Sequence, residues 1–421
     1  MPADLDLSIE IAGIRFKNPI LPAASELVFD HASALRLVQA GVGGLITKTF
    51  TSAAASRIRP RPYHFPLAPF GDSFRESGSF CSLAAPHVQE MEVVLGKNMV
   101  EIAQVAHEHG LPLVASFYER PDDLQRWQEV ARGMQKAGAD MLELNFSSPT
   151  MRGALEKGLG IGFAILEAVG REVDIPWGVK ISPMLEPLIE AVQGWKQRGA
   201  VFIPAHNAPS GFFVDVERET PYGAPMPAGY LIGRPFLPVS LARVVRILNQ
   251  VDIEVLGIGG IFNAQDALQY LLCGCSACGL ATAAYIKGVG VFQNVLDQLS
   301  EWMQRKNYSR ILDFKGKVLR QIRSAPEVLA GETAPYAQPP HTPYLPRIDP
   351  EKCRFCLTCC QSCLYQALEA DLQAKAVRVR ADQCWSCGFC VGICPHGAIE
   401  LVSRLSGKTI WAGRGLASPF R

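Results

Sequence analysis

Two cysteine runs of identical spacing near the carboxyl end of this 421-residue chain have the arrangement of a metal-binding site. Nine of the thirteen cysteines lie between Cys353 and Cys394, a density that indicates metal binding rather than disulfides in a reducing compartment. Proteins that hold two 4Fe-4S clusters have this spacing, and the fourth cysteine of each run ligates the other cluster. The runs, 31 residues apart, are Cys353-x2-Cys356-x2-Cys359-x3-Cys363 and Cys384-x2-Cys387-x2-Cys390-x3-Cys394.

The spacing predicts two ligand sets in a domain like the two-cluster bacterial ferredoxins. Two zinc sites of four cysteines each are the alternative, but they do not explain runs so closely spaced. Cys360 is the ninth cysteine and has no predicted role. One predicted cluster takes Cys353, Cys356, Cys359 and Cys394, and the other takes Cys384, Cys387, Cys390 and Cys363.

Polar side chains that could hold a ligand occur earlier in the chain, where apolar segments end. Lys48, Asn145, Asn207 and Thr282 each come seven or eight residues after a glycine that follows a helical stretch. Polar residues mark strand ends in general, which is the alternative explanation, but four at nearly one register favour a shared site. Such a site requires strands whose carboxyl ends meet at one place.

The elements that would position these residues are repeated units of helix, glycine and buried strand. Glycine is common just past a helix because it adopts the left-handed conformation without a steric penalty. Eight apolar strands separated by helical stretches predict a TIM (β/α)8 barrel, whose active site lies at the carboxyl ends of the strands. The strand segments are 19–24, 40–48, 113–117, 137–145, 177–182, 198–207, 254–261 and 273–282.

A glycine turn after the seventh strand is a candidate phosphate site. Gly257–Ile261 is followed by a helix signal that begins at Asn263, and Thr282 follows the eighth strand. Loops after these two strands commonly bind phosphate in TIM barrels, because free amides and the helix dipole attract an anion. No Gly-x-Gly-x-x-Gly motif follows a strand, so the sequence does not predict a Rossmann site for NAD or FAD.

Composition limits the function classes and the number of domains. Hydrophobic residues at 48% predict a folded chain, and a net charge of +1 gives no electrostatic reason to bind nucleic acid or an anionic membrane. No run of eighteen apolar residues occurs and the first residues are acidic, so we expect a cytoplasmic protein without a membrane span. The expected domains are the barrel at 1–322, a proline-rich linker at 323–346, the ferredoxin-like domain at 347–405 and a tail at 406–421.

Six motifs, in order along the barrel, resemble the successive motifs of the dihydroorotate dehydrogenase family. With the cysteine domain added, the chain is most similar to the FMN and iron–sulfur half of dihydropyrimidine dehydrogenases, including the separate bacterial subunit of that kind. The resemblance implies that the barrel binds FMN, which agrees with the predicted phosphate site. The motifs are Asp6–Ile20, Ile46–Thr49, Glu143–Pro149, Val179–Pro183, Gly257–Ile261 and Ala281–Thr282.

The resemblance also implies residue roles. Lys48 and Lys180 would lie against the flavin pyrimidine edge, where positive charge stabilises an anionic reduced flavin, and Lys48 would take part in catalysis. A lysine more often extends along a surface to reach water, but two lysines at the ends of apolar strands cannot easily do so. Asn145 and Asn207 would bond flavin or substrate. The amides of Gly259 and Gly260 would hold the phosphate with Thr282, and the other candidate cofactor contacts are Ala24, Ser25, Thr49, Gly233 and Ala281.

Ser148 occupies the position where the family places its proton-transfer residue. Flavin chemistry on a C–C bond moves a hydride at one carbon and a proton at the next, and a serine needs a hydrogen-bonded relay for the second task. The alternative is that Ser148 only caps the turn before Pro149. Cys81 is a second candidate for the proton role, although a buried structural thiol is the more ordinary explanation.

Departures from the family pattern concern the substrate. No asparagine lies between Pro19 and Lys97, and Thr150 and Ala208 replace the family's usual polar residues, so the sequence argues against uracil or orotate as the substrate. The loops at 59–87 and 209–238 are long enough to be lids. The sequence predicts a more aromatic pocket, made by Phe117, Tyr118, Phe146, His206, Phe212 and Phe213.

The predicted function is an FMN and 4Fe-4S oxidoreductase that reduces or oxidises a C–C bond of a small, cyclic or conjugated substrate. One alternative is the catalytic subunit of an NAD-dependent dihydropyrimidine dehydrogenase that acts on uracil or thymine. Another is an electron-transfer subunit without substrate chemistry of its own. Because the chain carries no nucleotide domain, the expected partner is an FAD and NAD(P)-binding subunit or a ferredoxin, and we expect a homo- or hetero-oligomer.

Overall fold

The chain divides into two units, Met1–Gln321 and Ile322–Arg421. The computed structural model describes residues 5–53, 64–66, 75, 78–82, 87–88, 90–221, 229–324, 326–327 and 338–413. Most of the predicted lid at 59–87, part of the lid at 209–238, part of the proline-rich stretch and the end of the tail lie outside the described residues.

Eight parallel strands of the first unit form the predicted TIM barrel. In the barrel, β4, β9, β10, β11, β12, β17, β18 and β3 are adjacent in that order, and Gly43 N donates to Ile20 O at 2.9 Å where the first and last strands approach. The strands are β1 (Ile9–Ile11), β2 (Ile14–Phe16), β3 (Ile20–Pro22), β4 (Leu45–Ile46), β5 (Phe50–Thr51), β6 (His64–Pro66), β7 (Ser79–Ser82), β8 (His87–Val88), β9 (Leu113–Phe117), β10 (Met141–Asn145), β11 (Trp177–Lys180), β12 (Phe202–Ala205), β13 (Ser210–Gly211), β14 (Val214–Asp215), β15 (Thr220–Pro221), β16 (Gly229–Gly233), β17 (Glu254–Ile258) and β18 (Ala277–Leu280).

Helices follow the barrel strands as the sequence pattern predicts. A π-helical segment, Val94–Asn98, joins α2 to α3, and short 3-10 turns occur at Arg234–Phe236, Ile311–Asp313 and Leu319–Gln321. The helices are α1 (His31–Gln39), α2 (Met91–Val93), α3 (Met99–Glu108), α4 (Leu124–Lys136), α5 (Pro149–Leu155), α6 (Gly160–Gly170), α7 (Leu188–Gln197), α8 (Leu237–Gln250), α9 (Ala264–Leu272), α10 (Thr282–Lys287) and α11 (Val291–Arg305).

The predicted helix-ending glycines have the backbone conformation that glycine tolerates best. Gly41, Gly138, Gly199 and Gly274 have φ angles of 80°, 99°, 103° and 106°. Each directs the chain from the end of a helix into a barrel strand, which fixes where that strand runs out.

Aromatic residues fill the layer between strands and helices. Phe117 and Phe146 both pack against Trp127, at ring-centroid distances of 5.3 and 5.8 Å, and Phe146 also contacts Trp195. The barrel strands are therefore covered on their outer face by helices, which explains their continuous apolar sequence.

The described part of the second unit includes two β-sheets and two short helices. Here β19 (Tyr344–Ile348), β22 (Ile399–Ser403) and β23 (Thr409–Ala412) form an antiparallel sheet, and β20 (Leu368–Asp371) and β21 (Ala376–Val379) form a hairpin. The helices are α12 (Thr358–Ser362) and α13 (Phe389–Ile393). Compared with the expected limits of 347 and 405, this unit extends further at both ends, because Tyr344–Pro346 and Thr409–Ala412 pair with β22.

Candidate active site

The carboxyl ends of the barrel strands surround a pocket of about 1120 Å³, including its open mouth. Lys48 follows β4, Asn145 ends β10, Asn207 follows β12 and Thr282 follows β18, so the shared register seen in the sequence corresponds to one place in the fold. All the residues predicted to bind the cofactor, and Ser148, line this pocket: Ala24, Ser25, Lys48, Thr49, Asn145, Ser148, Lys180, Asn207, Gly233, Gly259, Gly260, Ala281 and Thr282. Their roles remain predictions.

Both pocket lysines are buried and face carboxylates. Lys48 Nζ lies 3.8 Å from Glu26 Oε1, and Lys180 Nζ lies 3.5 Å from Glu143 Oε1. The lysine side chains are 10% and 5% exposed, so neither extends over the surface to water. Two fixed positive charges therefore border the pocket, each next to a negative one.

A chain of hydrogen bonds runs from Glu143, the ion-pair partner of Lys180, to Asn145 through the ends of neighbouring strands. Ser116 Oγ donates to Glu143 Oε1 at 2.7 Å and lies 2.8 Å from Thr49 Oγ1. Asn145 Nδ2 donates to Thr49 Oγ1 at 3.0 Å.

The same chain continues through the loop after β10. Asn145 Oδ1 accepts from both the amide and the hydroxyl of Ser147, and Ser147 Oγ accepts from Asn207 Nδ2 at 2.8 Å. Each side chain is hydrogen-bonded to the next one, and these bonds hold the carboxamides of Asn145 and Asn207 in fixed orientations.

Ser148 both caps a helix and lines the pocket. Its Oγ accepts from Met151 N at 3.2 Å as the N-cap of α5, and Pro149 is the first residue of that helix. The capping role that the sequence offered as an alternative is therefore real. The hydroxyl hydrogen is not used by the cap, because the cap bond uses a lone pair of the oxygen.

His206, in the pocket lining, has a strongly lowered pKa. Burial, with a smaller effect from Arg243, lowers the pKa of His206 to about 3, so the ring is neutral near pH 7. Ser240 Oγ donates to Ile258 O at 2.8 Å, which leaves His206 Nδ1 to donate to Ser240 at 3.2 Å. His206 Nε2 is then an acceptor, and no described residue bonds it.

The glycine turn after β17 brings bare backbone to the pocket. Gly259 and Gly260 have φ angles of 128° and 72°, and a Cβ at Gly259 would lie 2.7 Å from the Phe236 ring. Tyr270 donates its hydroxyl to Gly259 O at 2.8 Å and anchors the turn from α9. Ser25 Oγ, also at the pocket, is buried and has no hydrogen-bond partner among the described residues.

A four-stranded sheet contributes the remaining side of the pocket. Its order is β13, β16, β7 and β6, built from the described parts of the two predicted lids. Ser82, Tyr230 and Ile232 from this sheet line the pocket, but Cys81 does not. Burial raises the pKa of the Cys81 thiol, which agrees with a structural role.

The aromatic lining differs from the one expected. Of the six predicted residues only His206 lines the pocket. Phe117, Tyr118 and Phe146 pack against Trp127 of α4, on the helix side of the barrel, and Phe212 is 52% exposed. The pocket aromatics that sequence reasoning missed are His64, Tyr230, Phe236 and Tyr285.

One of the missed residues had a usable signal. Tyr285 lies three residues after Thr282 on α10, so it shares a face with that residue, and its hydroxyl accepts from Glu26 N at 2.9 Å. Glu26, also missed, directly follows the predicted Ala24 and Ser25. His64 and Tyr230 had no such signal, because their placement depends on sheet pairing between distant loops.

The structure places cysteines of each predicted ligand set close to one another, and their roles as ligands stay predictions. One cavity is lined by Cys353, Cys356, Cys359 and Cys394, which we call the first cluster site. The predicted set of Cys363, Cys384, Cys387 and Cys390 is called the second cluster site. Burial raises the pKa of Cys390 to about 12, with further increases from the other three thiols of its set, so these four lie close together.

Among the described residues, no group of three or more His, Cys, Asp or Glu side chains is arranged to hold a single metal ion.

The sequence repeat is also a repeat of backbone conformation. Left-handed residues recur 31 positions apart, at Phe355 and Ser386 and at Leu357 and Gly388. Ala367 N donates to Cys363 Sγ and Ala398 N to Cys394 Sγ, both at 3.3 Å. In each predicted cluster site, the cysteine that comes from the other run, which we call the crossed cysteine, therefore accepts an equivalent hydrogen bond from a backbone amide.

Comparisons with known proteins agree with both units. Residues 6–303 match the family model of dihydroorotate dehydrogenase, and residues 345–395 match the 4Fe-4S dicluster domain. The catalytic subunit of dihydroorotate dehydrogenase B (NAD(+)) of Thermoplasma acidophilum is 26% identical over 75% of this chain and 99% of its own length. The NAD-dependent dihydropyrimidine dehydrogenase subunit PreA of Escherichia coli is 26% identical over 94% of this chain and 95% of its own. No helix in the described residues is long and apolar enough to cross a membrane.

Proposed function

Since this chain belongs to the dihydroorotate dehydrogenase family, we propose that its pocket transfers hydride and a proton across a C–C bond of a dihydropyrimidine-like ring. The chain is an oxidoreductase that acts on a CH-CH group, and its cofactors are FMN and two 4Fe-4S clusters. The ring as substrate is supported by the relative named a dihydropyrimidine dehydrogenase subunit, which matches both units of this chain.

The residues of the pocket fit FMN. The buried Ser25 Oγ and His206 Nε2 have no bonding partner among the described residues, and a flavin offers donors and acceptors to both. The bare turn at Gly259 and Gly260 suits a phosphate, since a side chain there would collide with neighbouring residues. We propose that this turn and Thr282 hold the phosphate, with Ala281, Gly233 and Ala24 as further contacts.

The observation that carries the proposed reaction is the convergence of Ser148, two lysines and two oriented asparagines on one pocket. When bound, FMN supplies hydride exchange with a substrate carbon and stores two electrons. Lys48 and Lys180 would place positive charge beside the cofactor, Asn145 and Asn207 would orient the ring or the cofactor, and Ser148 would move the proton at the adjacent carbon.

Ring recognition is proposed to differ from that of an asparagine-lined pyrimidine site. The described lining supplies Tyr230, Tyr285 and His64 on the side away from the barrel strands, and phenol and imidazole groups can bond ring carbonyl and N–H groups. A site built on such groups binds the same class of ring with a different preference among its members.

The second unit is proposed to carry the electrons to or from another protein. The crossed cysteine sets would hold the two clusters, and no nucleotide-binding motif in the sequence supplies a second acceptor. We propose an FAD and NAD(P)-binding subunit as partner, because the E. coli relative is named a subunit and NAD-dependent.

Anaerobic mixing tests the substrate class. We expect dihydrouracil or dihydroorotate to bleach the oxidised flavin of the holoprotein, and uracil or orotate to restore the colour of the reduced one. Bleaching only by non-pyrimidine substrates would contradict the ring assignment and leave the CH-CH chemistry. If the clusters exchange electrons but no organic compound reduces or oxidises the flavin, the result would favour the alternative that the chain is an electron-transfer subunit without substrate chemistry.

A further inference from the structure

The two cluster sites are related by a 31-residue repeat, and their interactions with the protein can be compared position by position. The crossed cysteines are equivalent, because Cys363 and Cys394 each accept an amide bond of 3.3 Å. Positions where the repeat is not kept are therefore the places to compare for a difference between the reduction potentials of the two clusters.

Permanent charge is present at both sites. Arg354 lines the cavity of the first cluster site, and Arg404 lies near Cys384 of the second. Arg404 also donates to the carbonyl oxygens of Pro340 and Thr342, so it is fixed in place. With one guanidinium near each site, charge alone does not separate the two.

Hydrogen bonding to sulfur does separate them. Thr358 Oγ1 donates to Cys356 Sγ at 3.4 Å in the first cluster site. The residue 31 positions later, beside Cys387 of the second site, is Phe389, which has no polar side-chain atom and is 59% exposed. Both residues begin their helices, α12 and α13, after left-handed residues, so the backbones are equivalent.

The surroundings of the two sites differ in the same direction. His396, from the stretch after Cys394, lines the first cavity. Its repeat counterpart, Tyr365, packs against Trp385 at a centroid distance of 5.7 Å beside the second site. At this repeat position the first site has an imidazole, which can hydrogen-bond, and the second site has two packed aromatic rings.

Reduction adds one electron to a cluster, and a donor to a ligand sulfur stabilises the added negative charge. We propose that Thr358 sets the order of the two clusters, so that the cluster of the first site has the higher reduction potential and holds the electron first. The inference rests on the proposed ligand sets, and it identifies Thr358 as a positioning residue that acts through Cys356.

A redox titration of the holoprotein, followed by the electron paramagnetic resonance of the reduced clusters, tests this order. We expect two resolved steps in the wild type. Thr358→Val removes the hydrogen-bond donor and keeps the shape of the side chain. At a given potential it should lower the ratio of reduced to oxidised cluster in the higher step by about tenfold, which is a fall of about 59 mV in reduction potential for one electron. Thr358→Ser, which keeps the hydroxyl, should leave that step close to its wild-type position.

The repeat supplies a matched second variant at an exposed position. Phe389→Thr places a hydroxyl where Cys387 can accept it, and we expect the lower step to rise while the higher step stays. The order is overturned if both clusters titrate together in the wild type, if Thr358→Val moves the lower step or neither, or if Phe389→Thr does not raise the lower step. Iron content separates the two proposals, since a wild type without about eight irons per chain contradicts the ligand sets themselves.

Discussion

Lys180 Nζ lies 3.5 Å from Glu143 Oε1, and the two side chains are 5% and 0% exposed. This pair joins the last residue of β11 to the middle of β10, next to the hydrogen-bonded chain that orients Asn145 and Asn207. A cation is thereby kept at the pocket without an unpaired charge in the barrel interior. Glu143 Oε2 has no bonding partner among the described residues, so the carboxylate depends on its other oxygen.

Glu143→Gln should destabilise the barrel, because it leaves Lys180 as a buried charge without its counter-ion. We expect the free energy of unfolding in urea to fall by about 3 kcal/mol. Glu254→Gln is the control, because it breaks an ion pair of 3.3 Å with Lys315 that is more accessible to water. The Lys315 side chain is 23% exposed and that of Glu254 is 36% exposed, so the free energy of unfolding should fall by less than about 1 kcal/mol. Equal losses of unfolding free energy in the two variants would show that the buried Glu143–Lys180 pair stabilises the barrel no more than an exposed pair does.

Ser148→Ala should slow flavin reduction by the substrate by about 10²- to 10⁴-fold if the hydroxyl moves the proton. The same change removes the N-cap of α5 and should cost about 1 kcal/mol of stability. Ser148→Asn separates the two effects, since asparagine caps a helix as well as serine but carries no hydroxyl. We expect Ser148→Asn to recover the free energy of unfolding, measured in urea, and not the rate of flavin reduction, measured by anaerobic stopped-flow absorbance.

His206 should make the stability of the protein depend on pH below about 6.5. Burial lowers its pKa from 6.5 to about 3, so the unfolded chain binds a proton in this range that the folded protein does not. The contribution is complete above pH 6.5 and is lost as the pH falls towards 3, by up to about 1.4 kcal/mol per pH unit. His206→Gln should abolish this part of the slope in urea midpoints between pH 5 and 7. An identical slope in the variant would mean that His206 titrates normally.

The crossed ligand sets predict how single cysteine variants lose iron. Cys394→Ser should remove the cluster of the first site, so the iron content falls from about eight to about four per chain, with the second cluster retained. Cys360→Ser is the matched control, because Cys360 is next to Cys359 and belongs to neither set; it should keep about eight irons. If Cys360→Ser loses a cluster and Cys394→Ser keeps both, the assignment of ligands is wrong.

The barrel could be predicted because its signals are local and repeated. Gly41, Gly138, Gly199 and Gly274 mark helix ends in the sequence and have positive φ in the structure. The strand ends they fix place Lys48, Asn145, Asn207 and Thr282 on one pocket. The cysteine spacing acts in the same way, since the 31-residue repeat is retained in the backbone and in the amide bonds to Cys363 and Cys394.

The lining of the pocket mouth could not be predicted, because it depends on pairing between loops far apart in the chain. Tyr230 reaches the pocket through the alignment of β16 with β7, where it lies opposite Ser82. Phe117 is predicted there but packs against Trp127, since alternation along a barrel strand directs side chains either inward or towards the helices, and composition alone does not say which. Proximity to the strand ends was therefore a weaker guide than the direction of each side chain.

Mixing the anaerobic oxidised holoprotein with dihydrouracil or dihydroorotate and following flavin absorbance tests whether the barrel is an FMN site that acts on a dihydropyrimidine-like C–C bond. We expect the flavin band to bleach with at least one of these compounds, to bleach far more slowly in Ser148→Ala, and to stay unbleached with NADH alone in the absence of a partner protein. A purified holoprotein without a flavin band, or one whose flavin no dihydropyrimidine reduces, would contradict this function.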